Sequence, residues 1–185
     1  MDKPTTGMAV EELLVSRATG TDRSEREFQT LFTSAFPGVA STVFFIVQDR
    51  AVAEEITQEA FVQLLVRWKR VRHYDRPDLW VRRVAVQRAQ RERHRTWRRR
   101  ELERTAAPVT FTEEPVGYDD EVLAAVAELA PKQRAIVVLF YYEDRPMQEI
   151  AELVGCSVSA GWSQLHTARK RLAARLSEEV TDDVR

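Results

Sequence analysis

From Ser24 onward, apolar residues return at three- and four-residue steps: Phe28, Leu31, Phe32, Ala35 and Phe36. That is the period of one helix face. Pro37-Gly38 predicts an interruption, followed by a second apolar segment over residues 39–47. Residues 49–71 carry the clearest pattern. Ile56, Ala60, Phe61, Leu64, Leu65 and Trp68 form one apolar stripe, with Glu55, Gln58 and Glu59 on the opposite face. A break at His73-Tyr74-Asp75-Arg76-Pro77 precedes another helical pattern. There Leu79, Trp80, Val84 and Ala85 supply apolar contacts, and Arg82, Arg83, Arg88, Arg91, Arg93 and Arg95 are expected to project outward. Asp75 or Asp78 can cap its start.

Residues 105–120, TAAPVTFTEEPVGYDD, hold two prolines, a glycine and four acids with no sustained period. They read as a flexible linker between two domains. Beyond it, Val122, Val126 and Leu129 begin a helix that stops at Pro131, KQRAIVVLFYYE forms a second, and Asp144-Arg145-Pro146 opens a third. No alternating pattern of useful length and no internal repeat occurs. The expectation is an all-α fold of two small helical domains: a flexible leader over 1–24 with a short helix near 10–18, a first domain over 25–104, the linker over 105–120, a second domain over 121–178 and a tail over 179–185.

The segment EIAELVGCSVSAGWSQLHTARKRLAARL is spaced as a helix, a tight turn and a second helix. Ala151 is small enough to face a partner helix, and Gly155 tolerates positive φ in the turn. Ile150, Leu153, Val158 and Leu165 can lock the two helices, and Ser157 can cap the second. A helix-turn-helix of this kind enters a DNA major groove. Yet its second helix opens with Ser159, Ala160, Gly161, Trp162, Ser163 and Gln164, which include no cation. His166, Arg169 and Lys170 come at least one turn later, in reach of phosphates. Ser159, Trp162, Ser163 and Gln164 are left for base readout. Gly161 stands where a buried branched residue would cement the helix, and Trp162 either faces DNA or packs inward to fill that space.

Charge sharpens this picture. The net charge of -1 hides a segregation, because residues 67–104 hold fifteen Lys/Arg against five Asp/Glu. From totals of 28 and 29, the remaining residues hold thirteen basic against twenty-four acidic. A cationic segment on an acidic body fits a polyanion partner. Trp97 lies among those charges and suits stacking on an unpaired base, whereas Trp80 has a core-like pattern. Enzyme chemistry has little to work with. His73, His94 and His166 lack metal-ligand spacing with Cys156, and no glycine-rich phosphate loop or nucleophile elbow is present. No catalytic residue, metal or cofactor is expected. A lone cysteine, no charged-then-apolar leader and a longest apolar run of only residues 135–142 point to a cytoplasmic protein without membrane insertion.

Together these stretches resemble a known family. DRAVAEEITQEAFVQLLVRWKRV is similar to the core-binding segment of bacterial sigma-70-type factors, and RPDLWVRRVAVQRAQRERHRTWRRR to their promoter-melting segment. VAELAPKQRAIVVLFYYEDRPMQEIAELVGCSVS resembles the segment that recognises the -35 element. Size and two-domain plan match the extracytoplasmic-function group of the actinobacterial type, over residues 25–176. The resemblance implies that Asp49, Glu54, Glu55, Gln58 and Glu59 face the clamp helices of the polymerase β′ subunit. It implies that Trp80, Arg83, Gln87, Arg88, Arg91, Arg95 and Trp97 lie along a melted -10 element, with a base flipped out of the stack. Ser157, Ser159, Trp162, Ser163, Gln164, His166, Arg169 and Lys170 would meet the -35 element. The β flap and an anti-sigma factor are further implied partners. Two departures stand out. Gln87 replaces the usual asparagine, and Ser157-Val158-Ser159-Ala160-Gly161-Trp162-Ser163-Gln164 departs from a pattern near Ser-x-Gly-Thr-Val-Lys-Ser-Arg. The expectation is an initiation factor with altered -35 readout. The rival expectation is a degenerate module that holds polymerase or an anti-sigma factor without reading promoters.

Overall fold

Residues 6–103 and 120–182 of the chain are described by the computed structural model, with side chains over 23–96 and 121–177. The Trp97 side chain, residues 104–119, which take in all of the expected linker but Asp120, and the termini 1–5 and 183–185 lie outside what is described. Three long helices come first: α1 (Thr6–Val47), α2 (Arg50–Val71) and α3 (Pro77–Glu103). Then follow α4 (Asp120–Glu128), α5 (Pro131–Val137), α6 (Met147–Val154) and α7 (Val158–Asp182). The described residues include no strand.

Helix α2 forms for the reasons its pattern gives. Asp49, with φ -143° and ψ 119°, accepts from the Val52 N–H at 3.0 Å and caps the first turn. Ala53, Ile56, Thr57, Ala60, Phe61, Leu64, Trp68 and Val71 are buried along one stripe. Thr57 joins them because its hydroxyl donates to the Ala53 carbonyl at 2.7 Å. Leu65 does not. It is 56% exposed, one residue and about 100° around from Leu64. Val62 and Val66 share its outer face, also exposed.

The expected break at Pro37-Gly38 is absent, and α1 runs through it as one helix. Pro37 removes one N–H and releases the Thr33 carbonyl, but both residues are exposed, so water can take the freed acceptor. On the inner side, aromatic rings tie α1 to α2. Phe28 meets Trp68 edge-on at 5.4 Å and Phe32 meets Phe61 at 5.0 Å. The Trp68 indole N–H also donates to the Ser24 carbonyl at 2.8 Å. The stretch Arg23–Val47 is long and apolar enough, by length and composition, to cross a membrane. In this fold Ala35, Val39, Val43 and Ile46 are buried within the core that α2 and α3 share.

Beyond α5 the helix widens into a π-helical segment, Val138–Tyr142, which the periodicity did not reveal. Helices α5 and α6 then pack against α3, so both halves share one apolar core. Polar side chains reinforce that join. Arg134, with no exposed surface, donates to the Ile46 carbonyl at 3.0 Å and to Gln48 Oε1 at 3.1 Å. Gln48 sits at φ 57° after α1 and donates through Nε2 to the Leu123 carbonyl at 3.0 Å. Arg93, expected to point outward, is instead buried and donates to the Ala127 carbonyl at 3.0 Å. Carbonyls at the end of α4 supply the acceptor that makes this burial tolerable.

The helix-turn-helix is formed by α6, a turn at Gly155 and α7. Gly155 adopts φ 75°, and the Gly155 and Cys156 N–H groups both donate to the Ala151 carbonyl. Ser157 Oγ accepts from the Ala160 N–H at 3.1 Å and caps α7. Leu165 is buried, whereas Val158, expected in the lock, is 37% exposed. Gly161 is buried, and a Cβ added there would stand 2.6 Å from Met147 Sδ. The Met147 thioether therefore fills the space that a branched side chain at 161 would take. Gly161→Val should lower stability by about 1–3 kcal/mol through overpacking. Adding Met147→Ala to that variant should recover part of the loss. Urea unfolding midpoints of the three chains check this.

Candidate nucleic-acid interface

Helix α3 buries Val81, Ala85, Val86 and Ala89 on one side. This face fixes where its polar residues point. Arg83, Arg91 and Arg95 emerge exposed, while Trp80, Gln87 and Arg88 are partly buried. The Arg91 Nε–H folds back on the Gln87 carbonyl at 3.1 Å, and Arg95 pairs weakly with Glu92 at 3.5 Å. Arg88 is held more firmly. It ion-pairs with Glu59 of α2, and Gln63, its amide turned to present oxygen, lies 3.1 Å from Arg88 Nε. The cationic face is thus partly neutralised by the chain's own acids. Between α2 and α3 this leaves a cleft of about 420 Å³, lined by Glu55, Glu59, Arg88, Arg91, Glu92 and Arg95 together with Val52 and Ile56.

On α2, Glu54, Glu55, Gln58 and Glu59 are exposed. Asp49 begins that surface, although its carboxylate is occupied as the helix cap. Val62, Leu65 and Val66 extend the face toward the C-terminus of α2, with 59%, 56% and 76% exposure. Reading the sequence missed this apolar extension because Leu65 was placed in the core stripe. Three neighbouring exposed branched residues at helical spacing are the signal that could have found it.

On α7, Ser159, Trp162, Ser163, His166, Arg169 and Lys170 are exposed. Trp162 faces outward at 49% exposure, its ring edge-on to Phe140 at 5.8 Å and 70°. Arg169 lies over the Tyr141 ring at 5.7 Å. Gln164 is less free, since its Oε1 accepts from Gln133 Nε2 at 3.1 Å. Gln133 Oε1 in turn accepts from Arg171 at 3.1 Å. Ser157 spends its hydroxyl on the α7 cap.

A second cluster lies where the two halves meet. Arg82, expected outside, has a side chain only 12% exposed and pairs with Glu143 at 2.6 Å. Thr42 also bonds Glu143, and Arg82 reaches Thr42 Oγ1 at 3.2 Å. Burial pulls the Arg82 guanidinium below its ordinary pKa, with Glu143 opposing that fall. Glu143 Oε2 binds Arg145 at 2.5 Å, and Arg145 binds Glu149 at 2.7 Å. For Arg145 burial acts downward, but the two glutamates outweigh it and raise its pKa.

Two domain families match this chain: Sigma-70 region 2 over residues 31–99 and Sigma-70 region 4 over residues 119–172. Among curated proteins, the RNA polymerase sigma-E factor of Streptomyces coelicolor is 30% identical over 142 residues, covering 73% of this chain and 75% of that protein. The sigma-E factor of Streptomyces antibioticus is 28% identical over 162 residues, covering 84% and 88%. Sigma factor RpoE of Bartonella quintana, solved in complex with the anti-sigma factor NepR, superposes with a TM-score of 0.62. It is 18% identical and covers 82% of this chain and 98% of that one. The two regions define a sigma-70-type transcription initiation factor. The chain belongs to that family, in its extracytoplasmic-function group.

Because Asp49 caps α2, its charge and its cap role can be separated. Asp49→Ala should cost about 1 kcal/mol of stability, whereas Asp49→Asn should retain the cap. Thermal melts of both variants decide it; equal losses would contradict the cap assignment.

Proposed function

We propose that this sigma factor binds core polymerase through α2, opens and holds the -10 element with α3, and reads the -35 element through an altered α7. The observation that carries this is the adjacency of an exposed acidic face to an exposed cationic one on neighbouring helices. Glu54, Glu55, Gln58 and Glu59 suit the basic β′ clamp helices, with Val62, Leu65 and Val66 adding apolar contact. Arg83, Arg91 and Arg95 can follow a strand backbone. Arg88 is better placed to position α2 against α3 than to bind DNA, since Glu59 already holds it. Trp80 and Gln87, half-buried, flank the strand path. Residues 25–104 and 121–178 would form the two working domains, with the β flap and an anti-sigma factor as further partners of a cytoplasmic protein. Catalysis belongs to the polymerase.

In α7, Trp162 and Gln164 stand where the family pattern has cations. An indole held out against Phe140 offers an apolar surface suited to a thymine methyl group. His166, Arg169 and Lys170 supply the phosphate contacts.

Run-off transcription with purified core polymerase tests the reading. Specific initiation supports it, while tight core binding without initiation on any genomic template favours a polymerase-holding module. Arg83→Ala with Arg91→Ala should reduce open complex on the order of tenfold or more, as lost charge-assisted contacts require. Gln164→Ala should change it far less. Permanganate reactivity of unpaired thymines measures both. For α7, replacing thymine by uracil in a -35 duplex should weaken binding about fourfold, one methyl's worth of burial. Trp162→Ala should abolish that difference in an anisotropy titration.

A further inference from the structure

Helix α7 carries the arginines Arg169, Arg171 and Arg175, and the chain holds them in two different ways. Arg171 spends an N–H on Gln133 Oε1 at 3.1 Å, and Arg175 spends one on Glu128 at 3.2 Å. Arg169 is held by its flat face instead, with Cζ 5.7 Å from the centre of the Tyr141 ring. Among the described residues none accepts a hydrogen bond from it. The π-helical segment makes this arrangement. Its Glu143 N–H closes on the Val138 carbonyl, five residues back, at 3.2 Å, so the turn holds one residue more than an α turn. Val138 and Leu139 stay in the core, while Phe140 meets Trp162 and Tyr141 meets Arg169. Those two α7 residues are seven positions apart, about two turns along the same side. Tyr141 is itself 53% exposed, so its ring is an open shelf beside the recognition helix.

Stacking and hydrogen bonding use different parts of a guanidinium. An aromatic ring attracts the face, whereas the N–H donors point outward in the plane of the edge. A carboxylate or amide partner consumes those donors, and a ring leaves them available. Arg169 is thus steadied before any partner arrives, with a fork that fits a phosphate through two parallel bonds. We propose that Tyr141 is a positioning residue for DNA binding, presenting Arg169 edge-on to a backbone phosphate of the -35 duplex. This rests on the reading of α7 as the -35 helix. Part of the grip on that duplex then originates outside the helix-turn-helix, in the π-helical segment that precedes it. The contact is strengthened because the side chain pays less ordering entropy when it binds.

Holoenzyme assembled from the full chain and core polymerase selects duplexes from a promoter-length random pool. A selected, fluorescein-labelled duplex then serves as the probe in anisotropy titrations over a range of salt. Arg169→Ala should weaken binding on the order of tenfold and flatten the slope of log Kd against log salt by about 0.9, one phosphate's worth. Tyr141→Leu should weaken it about fivefold as the ordering cost returns. Tyr141→Phe keeps the ring and should bind as wild type does. The double variant Y141L/R169A should be no weaker than R169A, because Tyr141 acts through the guanidinium. A ring that merely stiffens the fold would weaken both backgrounds alike, and that result overturns the proposal. So does a Y141L chain that binds as wild type does. Arg169→Lys keeps the charge without the flat face. It should retain the salt slope yet lose about fivefold in affinity. A lysine as good as the arginine overturns the proposal, even where Y141L fails to fold. An enriched upstream element that neither residue affects removes the role of Tyr141 and spares the reading of α7. A selected pool with no upstream element overturns both.

Discussion

A guanidinium cannot remain in a protein interior without an acceptor, and α3 carries more guanidinium groups than its exposed surface can take. Its apolar side must face α1 and α2, because Val81, Ala85, Val86 and Ala89 build the shared core. That orientation leaves each arginine one of two outcomes. Arg83, Arg91 and Arg95 reach solvent. Arg82 and Arg93 fall on the flank that α4–α6 cover, and there Glu143 and the Ala127 carbonyl receive them. The placement of the second half on the first follows from this requirement as much as from apolar contact.

The same constraint separates residues that look alike in the sequence. Arg88 lies one helical turn from Arg91, yet it is committed to Glu59 and Gln63 of α2. Helices α2 and α3 are thereby fixed against each other. On α7 an unlike solution appears. Gly161 brings the recognition helix down onto Met147, and Trp162 is lifted outward against Phe140 rather than folded into the core. Within the recognition helix, the departures at Gly161 and Trp162 are therefore one packing arrangement, not two unrelated losses.

Much of the fold was legible in the sequence because the determinants are local. The stripe of α2, the Asp49 cap, the Gly155 turn and the Ser157 cap each depend on residues within one or two turns. What stayed hidden depends on partners far along the chain. Periodicity alone cannot say that Arg82 meets a glutamate sixty-one residues later, nor that Pro37 rides through a helix whose freed carbonyl faces water. Leu65 was misplaced because a leucine beside a core leucine reads as core, although one residue rotates it about 100° off the buried stripe. For the candidate site, the acidic face of α2 and three of the outward arginines were visible from spacing. The apolar extension at Val62, Leu65 and Val66 and the charge cluster between the halves were not.

All of this turns on whether the two halves are joined through exchangeable polar contacts. Spin labels at Thr33→Cys and Ser177→Cys, in a chain carrying Cys156→Ser, report the separation of α1 and α7 by pulsed electron resonance. The free chain should give one short, narrow distance, and adding core polymerase with promoter DNA should replace it by a longer one. An identical distance distribution in the transcribing complex would mean that the halves never part, and the account would fail there.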